Sequence, residues 1–139
     1  MARKAYRYTI GNFNRTVATN GTAVFKIEPL ENQQTMTARL KTVKVSIIPS
    51  GPEFSQGGFL IHASTDSNTS TDNIITSQAV GDGGGTVWLA MKNRAIRDEQ
   101  ANQSRNDGPI YIWVRSSGFA TPSDIILEAW GSQLDVDAL

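Results

Sequence analysis

Residues 38–48 constrain the fold more than any other part of the sequence. In this segment, ARLKTVKVSII, the apolar residues from Val43 to Ile47 alternate with Lys44 and Ser46. Strict alternation is typical of a β-strand that has one face in the core and the other in solvent. β-Branched side chains also suit a pleated surface. The segment therefore predicts a long, half-buried strand, and we expect it to lie at the centre of its sheet.

The alternation changes phase once within this strand. Ala38 and Leu40 fall at even positions, whereas Val43 and the apolar residues after it fall at odd positions. One residue added to the strand restores a common face, because an extra residue shifts every later side chain to the opposite side. We therefore predict a β-bulge near Lys41 or Thr42.

The rest of the chain consists of short alternating stretches separated by glycine, asparagine and proline. Asn20-Gly21 is a strong hairpin signal, because a type I′ turn needs positive φ at both central residues. Strands at this spacing, with no amphipathic helix between them, predict one all-β domain, a sandwich or a barrel. Eight principal strands are expected, at residues 5–13, 15–27 (as a hairpin), 38–48, 58–64, 73–80, 86–92, 109–115 and 125–130.

The segments outside these strands have their own character. We expect a single domain over residues 1–139, with a short basic tip at 1–5 and a short acidic tail at 132–139. Residues 93–108 form the longest predicted loop. One or two helical turns are expected near its centre, around Ala95, Ile96 and Ala101.

The charges are divided unevenly along a chain whose net charge is zero. Residues 1–44 hold eight basic and two acidic groups, a balance of +6, and residues 45–139 hold five basic and eleven acidic groups, a balance of −6. Such asymmetry is typical of a protein that meets a polyanion or pairs with copies of itself. If strands from residues 1–44 and from residues 45–139 lie side by side in one sheet, their opposite charges would cancel this asymmetry.

Catalytic and ligand-binding motifs are weak. The chain has no cysteine, which excludes thiolate chemistry and disulfides. His62 is the only histidine, and strand geometry separates it by about 7 Å from Ser64. Residues 66–72 have part of the spacing of a calcium loop but lack its glycine and glutamate. Residues 81–85 are glycine-rich but precede a strand and not a helix. We therefore predict no enzyme activity, no cofactor and no metal site.

The three tryptophans leave two interpretations open. Trp88, Trp113 and Trp130 lie on predicted strands, each opposite an aliphatic face. Packing in the core or in an interface is the favoured interpretation. A platform on which a sugar ring stacks is the other.

Two features together resemble a known family. The segment 22–27, a polar link and the basic-flanked segment 39–48 look like the C strand, CD loop and D strand of a single jelly-roll capsid protein of a small icosahedral virus. In addition, residues 93–108 fall where the long GH loop of that fold belongs. The resemblance implies an eight-stranded antiparallel sandwich of jelly-roll type.

The same resemblance implies a function and its partners. The chain would be a structural virion protein that self-assembles into an icosahedral shell, is located in the virion and is assembled in the host cytoplasm. Its partners would be many copies of itself, other virion proteins and, weakly, genomic nucleic acid, with no membrane. The implied nucleic-acid contacts are Arg3, Lys4 and Arg7, a much shorter basic arm than many such coats carry. The implied subunit contacts lie in the long loop: Asn93, Arg94, Arg97, Asp98, Glu99 and Arg105.

A non-catalytic binding module is the alternative function. A carbohydrate-binding sandwich would use one of the tryptophans, and a phage decoration or accessory protein would share the structural role but not the shell. Particle size distinguishes these from a coat, because only the coat forms large closed assemblies.

Overall fold

The computed structural model describes residues 6–9, 22–29, 38–49, 58–65, 74–81, 84–96, 108–117 and 123–138. These residues form nine β-strands, and among them no helix is long and apolar enough to cross a membrane. The strands are β1 Tyr6–Thr9, β2 Thr22–Pro29, β3 Ala38–Pro49, β4 Gly58–Ser64, β5 Ile74–Gly81, β6 Gly85–Ile96, β7 Ile110–Ser117, β8 Ser123–Ser132 and β9 Leu134–Ala138.

The strand pairing is nested. β1 pairs with β8, β2 with β7, β3 with β6 and β4 with β5, all antiparallel. These are the pairs of one long hairpin folded over on itself. Lateral pairing of β3 with β8, and of β4 with β7, joins them into a four-stranded sheet, β1-β8-β3-β6, and a five-stranded sheet, β5-β4-β7-β2-β9. Two sheets with this strand order are a jelly roll, so the predicted fold class is confirmed.

The core lies between the two sheets. Alternate residues of β2, β3, β4, β7 and β8 are buried there, as the alternation predicts, whereas β5 contributes only the partly buried Ile75 and Val80. The largest fully buried side chains come from both sheets: Phe25, Ile27, Leu40, Phe59, Ile61, Leu89, Ile96, Ile110, Ile112, Ile125, Leu127 and Leu134. Burial of this continuous apolar layer is the main favourable contribution to folding.

The predicted bulge is confirmed. β3 lies between β8 and β6, and its register with both neighbours shifts between Leu40 and Thr42. Lys41 is the extra residue, so Leu40 and Val43 both reach the core, although they are three positions apart. β6 bulges at the same place, where Lys92 and Asn93 have φ values of 54° and 52°.

Two predicted segments differ from the structure. β6 continues to Ile96, so Ala95 and Ile96 are strand residues, and the helical turns expected at these two are wrong. Their pairing with the N-terminal end of β3 outweighs the weak local helix preference. Ala101, the third residue of that prediction, lies outside the described residues. The acidic tail expected at 132–139 contributes β9, which pairs with β2. Buried Leu134 and partly buried Val136 alternate with Asp135 and Asp137, a pattern too short to have marked a strand.

Other predictions lie partly or wholly outside the described residues. Of the first expected strand, 5–13, Tyr6–Thr9 is a strand. The hairpin turn at Asn20-Gly21 and the tip at residues 1–5 are not described.

Close packing at Gly131 makes it possible to test how closely β8 approaches β3. A Cβ atom at Gly131 would lie 2.0 Å from the Arg39 carbonyl oxygen and 2.5 Å from Leu134 Cδ1. The first of these neighbours is backbone beside the bulge and cannot rotate away. We expect Gly131→Ala to lower the free energy of unfolding by about 3 kcal/mol, the upper end of the usual cost of overpacking. Urea denaturation measures it.

Gly81→Ala is the matched control, because a Cβ atom there would have nothing within 4 Å. It should change the free energy of unfolding by no more than about 0.5 kcal/mol. Equal effects of the two substitutions would contradict the close approach of β8 to β3.

Candidate functional site

The solvent-facing side of the four-stranded sheet carries the most distinctive group of side chains among the described residues. We call it the outer face. It follows from strand alternation, because residues between the core positions face away from the sandwich. Its members on the three strands with described side chains are Arg39, Lys41, Thr42, Lys44, Ser46 and Ile48 of β3, Thr86, Trp88 and Ala90 of β6, and Asp124, Ile126, Glu128, Trp130 and Ser132 of β8.

Two tryptophans and a lysine meet at the centre of the outer face. Trp88 is 54% exposed and stacks on Trp130, with ring centroids 5.4 Å apart and ring planes 29° apart. The Lys44 Nζ atom lies 5.3 Å from the Trp88 ring centroid, which is cation–π distance. β3 brings them together, since it pairs Lys44 with Trp88 on one side and Thr42 with Trp130 on the other.

Near this aromatic pair the outer face carries three cations, whereas its more accessible acidic residue, Asp124, lies at the far end of β8 beside Ile48. Arg39 and Lys41 are exposed, and Arg39 Nη1 donates a hydrogen bond to the Asn93 carbonyl oxygen at 3.2 Å. Glu128 is the register partner of Lys44 but is only 8% exposed. Its carboxylate therefore contributes little to the accessible surface. The bulge at Lys41 is what allows cations on both sides of it to share one face.

The structure places the three tryptophans outside the core. None of them is among the buried core residues, and Trp88 is the most exposed of the large hydrophobic side chains described. Of the favoured interpretation, core packing is therefore wrong, and packing in an interface stays a prediction. Sequence alternation placed them opposite the aliphatic face. The contact between Trp88 and Trp130 depends on the register of two strand pairs, which no local pattern reveals.

The residues predicted to contact nucleic acid are only partly described. Arg3 and Lys4 lie outside the described residues. Arg7 belongs to β1, where its backbone is the register partner of Trp130. One predicted contact is therefore next to the outer face in the sheet.

The predicted subunit contacts divide in the same way. Asn93 and Arg94 lie near the C-terminal end of β6, at and after its bulge, and not in the loop that the sequence predicts from residue 93. The others lie outside the described residues: Arg97, Asp98, Glu99 and Arg105. Their role at an interface stays a prediction.

A group of carboxylates on the five-stranded sheet was missed by the sequence analysis. Pairing of β2 with β9 places Glu28, Asp135 and Asp137 so that one oxygen of each lies within 4.8 Å of the others. The Lys26 Nζ atom lies 3.2 Å from Glu28 Oε2 and offsets part of their repulsion. No local pattern in the sequence indicates this group, because it depends on the pairing of β9 with β2.

His62 occupies the outer side of the five-stranded sheet, between its register partners Ser77 and Trp113. It is half-buried, and its Nδ1 atom has no hydrogen-bond partner among the described residues. Burial, and secondarily the charge of Arg115, lower the pKa of His62 below its ordinary value. These surroundings therefore favour the neutral imidazole over the protonated one.

The two loops with partial ligand-binding motifs, residues 66–72 and 81–85, show no ligand site among the described residues. The calcium-like segment at 66–72 lies outside the described residues. At the glycine-rich turn, the Gly84 N–H donates to the Gly81 carbonyl at 3.0 Å, so this amide is already paired.

The lowered pKa of His62 predicts a pH-dependent stability. The unfolded chain binds a proton near pH 6.5, whereas the folded chain resists it until lower pH. Stability is therefore fully present above about pH 6.5 and decreases as the pH falls towards the folded-state pKa. Urea denaturation between pH 7.5 and 5.5 should show this decrease, and His62→Gln should reduce it. Parallel curves for the two proteins would contradict the assignment to His62.

The contact between Lys44 and Trp88 predicts a measurable coupling. A double-mutant cycle with Lys44→Met and Trp88→Leu should give about 0.5–1 kcal/mol in the free energy of unfolding, as for exposed cation–π pairs. The same cycle with Lys41→Met is the control and should give a value near zero. Equal coupling in both cycles would show a general charge effect and no specific contact.

Comparisons with known proteins show low similarity to solved structures. No protein-family model matches the chain, and no curated protein matches it. The chain is similar to the giant freshwater prawn Macrobrachium rosenbergii nodavirus protein in a semi-empty virus-like particle, at 10% identity and a TM-score of 0.40, covering 99% of this chain and 97% of the other. It is also similar to the capsid protein of a 60-mer from BFDV, at 13% identity and a TM-score of 0.35, covering 96% and 88% of the two chains. At these scores, the jelly-roll assignment rests on the strand pairing described above.

Proposed function

We propose that this protein is a structural subunit that self-assembles into the icosahedral capsid of a small virus. The observation that carries the proposal is that the two sheets of the jelly roll present different charged groups on their outward surfaces. One sheet presents the basic outer face with Arg39, Lys41 and Lys44, and the other presents the carboxylates of Asp135 and Asp137. A closed shell orients every copy in the same way, so a two-sided subunit gives it a positive and a negative surface.

The charges indicate how the subunit is oriented in the shell. A shell that encloses a polyanion requires its positive surface inside, so the outer face would point inwards. β1 is the edge strand on that side of the sandwich, next to β8. The basic tip that precedes it, with Arg3 and Lys4, and Arg7 in β1 itself would then add weak contacts to genomic nucleic acid, multiplied by the number of subunits.

Contacts between subunits are proposed at the connection from β6 to β7. This segment begins after Ile96 and carries Arg97, Asp98, Glu99 and Arg105, charges of both signs within a short distance in sequence. Mixed charges can pair between neighbouring copies and fix their register. The location would be the virion, with assembly in the host cytoplasm and with other virion proteins as further partners.

A non-catalytic carbohydrate-binding module is the second candidate. The exposure of Trp88 and its stacking on Trp130 favour it, because a sugar ring can pack on an open indole. Such a module would remain a monomer or small oligomer.

The size of the purified full-length protein tests the proposal. Light scattering and negative-stain microscopy should show closed particles many times larger than one 139-residue chain. The double variant Asp98→Lys, Glu99→Lys should reduce particle formation strongly without lowering the melting temperature, because the proposal assigns both carboxylates to contacts between subunits.

Ala79→Lys is the control, as it introduces a positive charge at an exposed position of the five-stranded sheet that the proposal does not use. It should leave particles intact. A wild-type protein that stays monomeric under all solution conditions, with or without nucleic acid, would overturn the capsid proposal and favour the binding module.

A further inference from the structure

We infer that the outer face of the four-stranded sheet binds single-stranded nucleic acid, with a base stacked on Trp88 and the phosphates beside it neutralised by Arg39, Lys41 and Lys44. The residues of this site are different from those of the basic tip. The inference deepens the proposed function and rests on it for the source of the nucleic acid, but the binding itself can be measured on the protein alone.

The aromatic part of the site is Trp88. An indole that is 54% exposed on a strand is unusual, because tryptophan is highly buried on average. Trp130 packs against it and Lys44 lies near its ring, so the indole is fixed in position before any ligand arrives. A fixed aromatic ring is a stacking surface for a base, and stacking does not depend on the base sequence.

The charged part of the site determines which ligand fits. Within the part of the chain that the structure describes, no carboxylate lies at salt-bridge distance from Arg39, Lys41 or Lys44. Lysine and arginine only donate hydrogen bonds. A neutral sugar has no charge to match these cations, whereas a phosphate backbone does. Bases in a duplex are stacked on each other and cannot reach the indole, so the ligand is single-stranded.

Lys44 links the two parts. Its ammonium group lies 5.3 Å from the ring centroid of Trp88, and its flexible side chain can exchange the ring for a phosphate next to the stacked base. Ile48, 50% exposed further along β3, extends the apolar surface of the same face. The strand therefore offers cations and apolar groups in sequence along one line, as a backbone with attached bases requires.

Binding of fluorescein-labelled oligothymidylate, followed by anisotropy, tests the inference. Wild-type protein should bind in a salt-dependent way, and its tryptophan fluorescence should be quenched. Trp88→Ala should weaken binding by about tenfold, within the range for loss of one stacked base, with little change in the salt slope. Lys41→Ala should instead lower the slope of log K against log salt by about 0.7, the value for one phosphate contact.

Matched controls separate the site from general effects. Leu60→Ala removes an exposed apolar side chain from the other sheet, and Lys26→Ala removes one positive charge there. Neither should change oligonucleotide affinity by more than about twofold. Trp88→Tyr should retain most of the affinity, because it keeps an aromatic ring, and circular dichroism verifies that each variant is folded.

Four results would overturn the inference. The first two are no binding of oligothymidylate at low salt, and equal losses of oligonucleotide affinity in Trp88→Ala and Leu60→Ala. The third is quenching of tryptophan fluorescence by neutral oligosaccharides and not by oligonucleotides, and the fourth is loss of particles in Trp88→Ala with unchanged oligonucleotide affinity. The last would assign the face to a second copy of the chain. Particles that form without such binding would leave the capsid proposal intact, and binding by a protein that never assembles would leave this inference intact.

Discussion

Pairing of β3 on both sides is the interaction on which the rest of the molecule depends. β8 and β6 fix its register, and the core requires Leu40 and Val43 to point the same way. Backbone hydrogen bonding and side-chain burial are compatible only if the strand holds one extra residue between these two. The bulge at Lys41 therefore follows from the sequence of β3, and its neighbours adapt to it: β6 adopts positive φ values at Lys92 and Asn93.

The bulge in β3 also determines which side chains lie on the outer face. Without the bulge, a continuous strand would turn either Arg39 or Lys44 towards the core, at a large cost in desolvation. With it, cations before and after the irregularity lie on one side. The composition of the outer face is thus a consequence of how the core is packed, and Trp88 and Trp130 meet there because β3 positions both of its neighbours.

Much of the fold could be predicted because alternation is a local property. The strands β3, β4 and β7, their buried faces and the bulge could be read from the sequence. The pairing of β2 with β9 could not, since Asp135 and Asp137 dominate a five-residue strand and hide its alternation. The extent of β6 was also missed, because Ala95 and Ile96 are held by partners more than fifty positions away and not by their own neighbours. The candidate site was the least predictable part, as stacking of Trp88 on Trp130 requires two registers at once.

Nested pairing has a consequence for the order of events during synthesis. β1 needs β8, and β2 needs β7 and β9, so the strands made first find their partners only among those made last. Contacts of such long sequence separation make folding slow, because loop-closure entropy is lost before most native contacts form. The hairpin of β4 and β5 is the part that can form early. The sandwich therefore closes only after β7, β8 and β9 have been synthesised, and until then its apolar strands need protection from pairing with other chains.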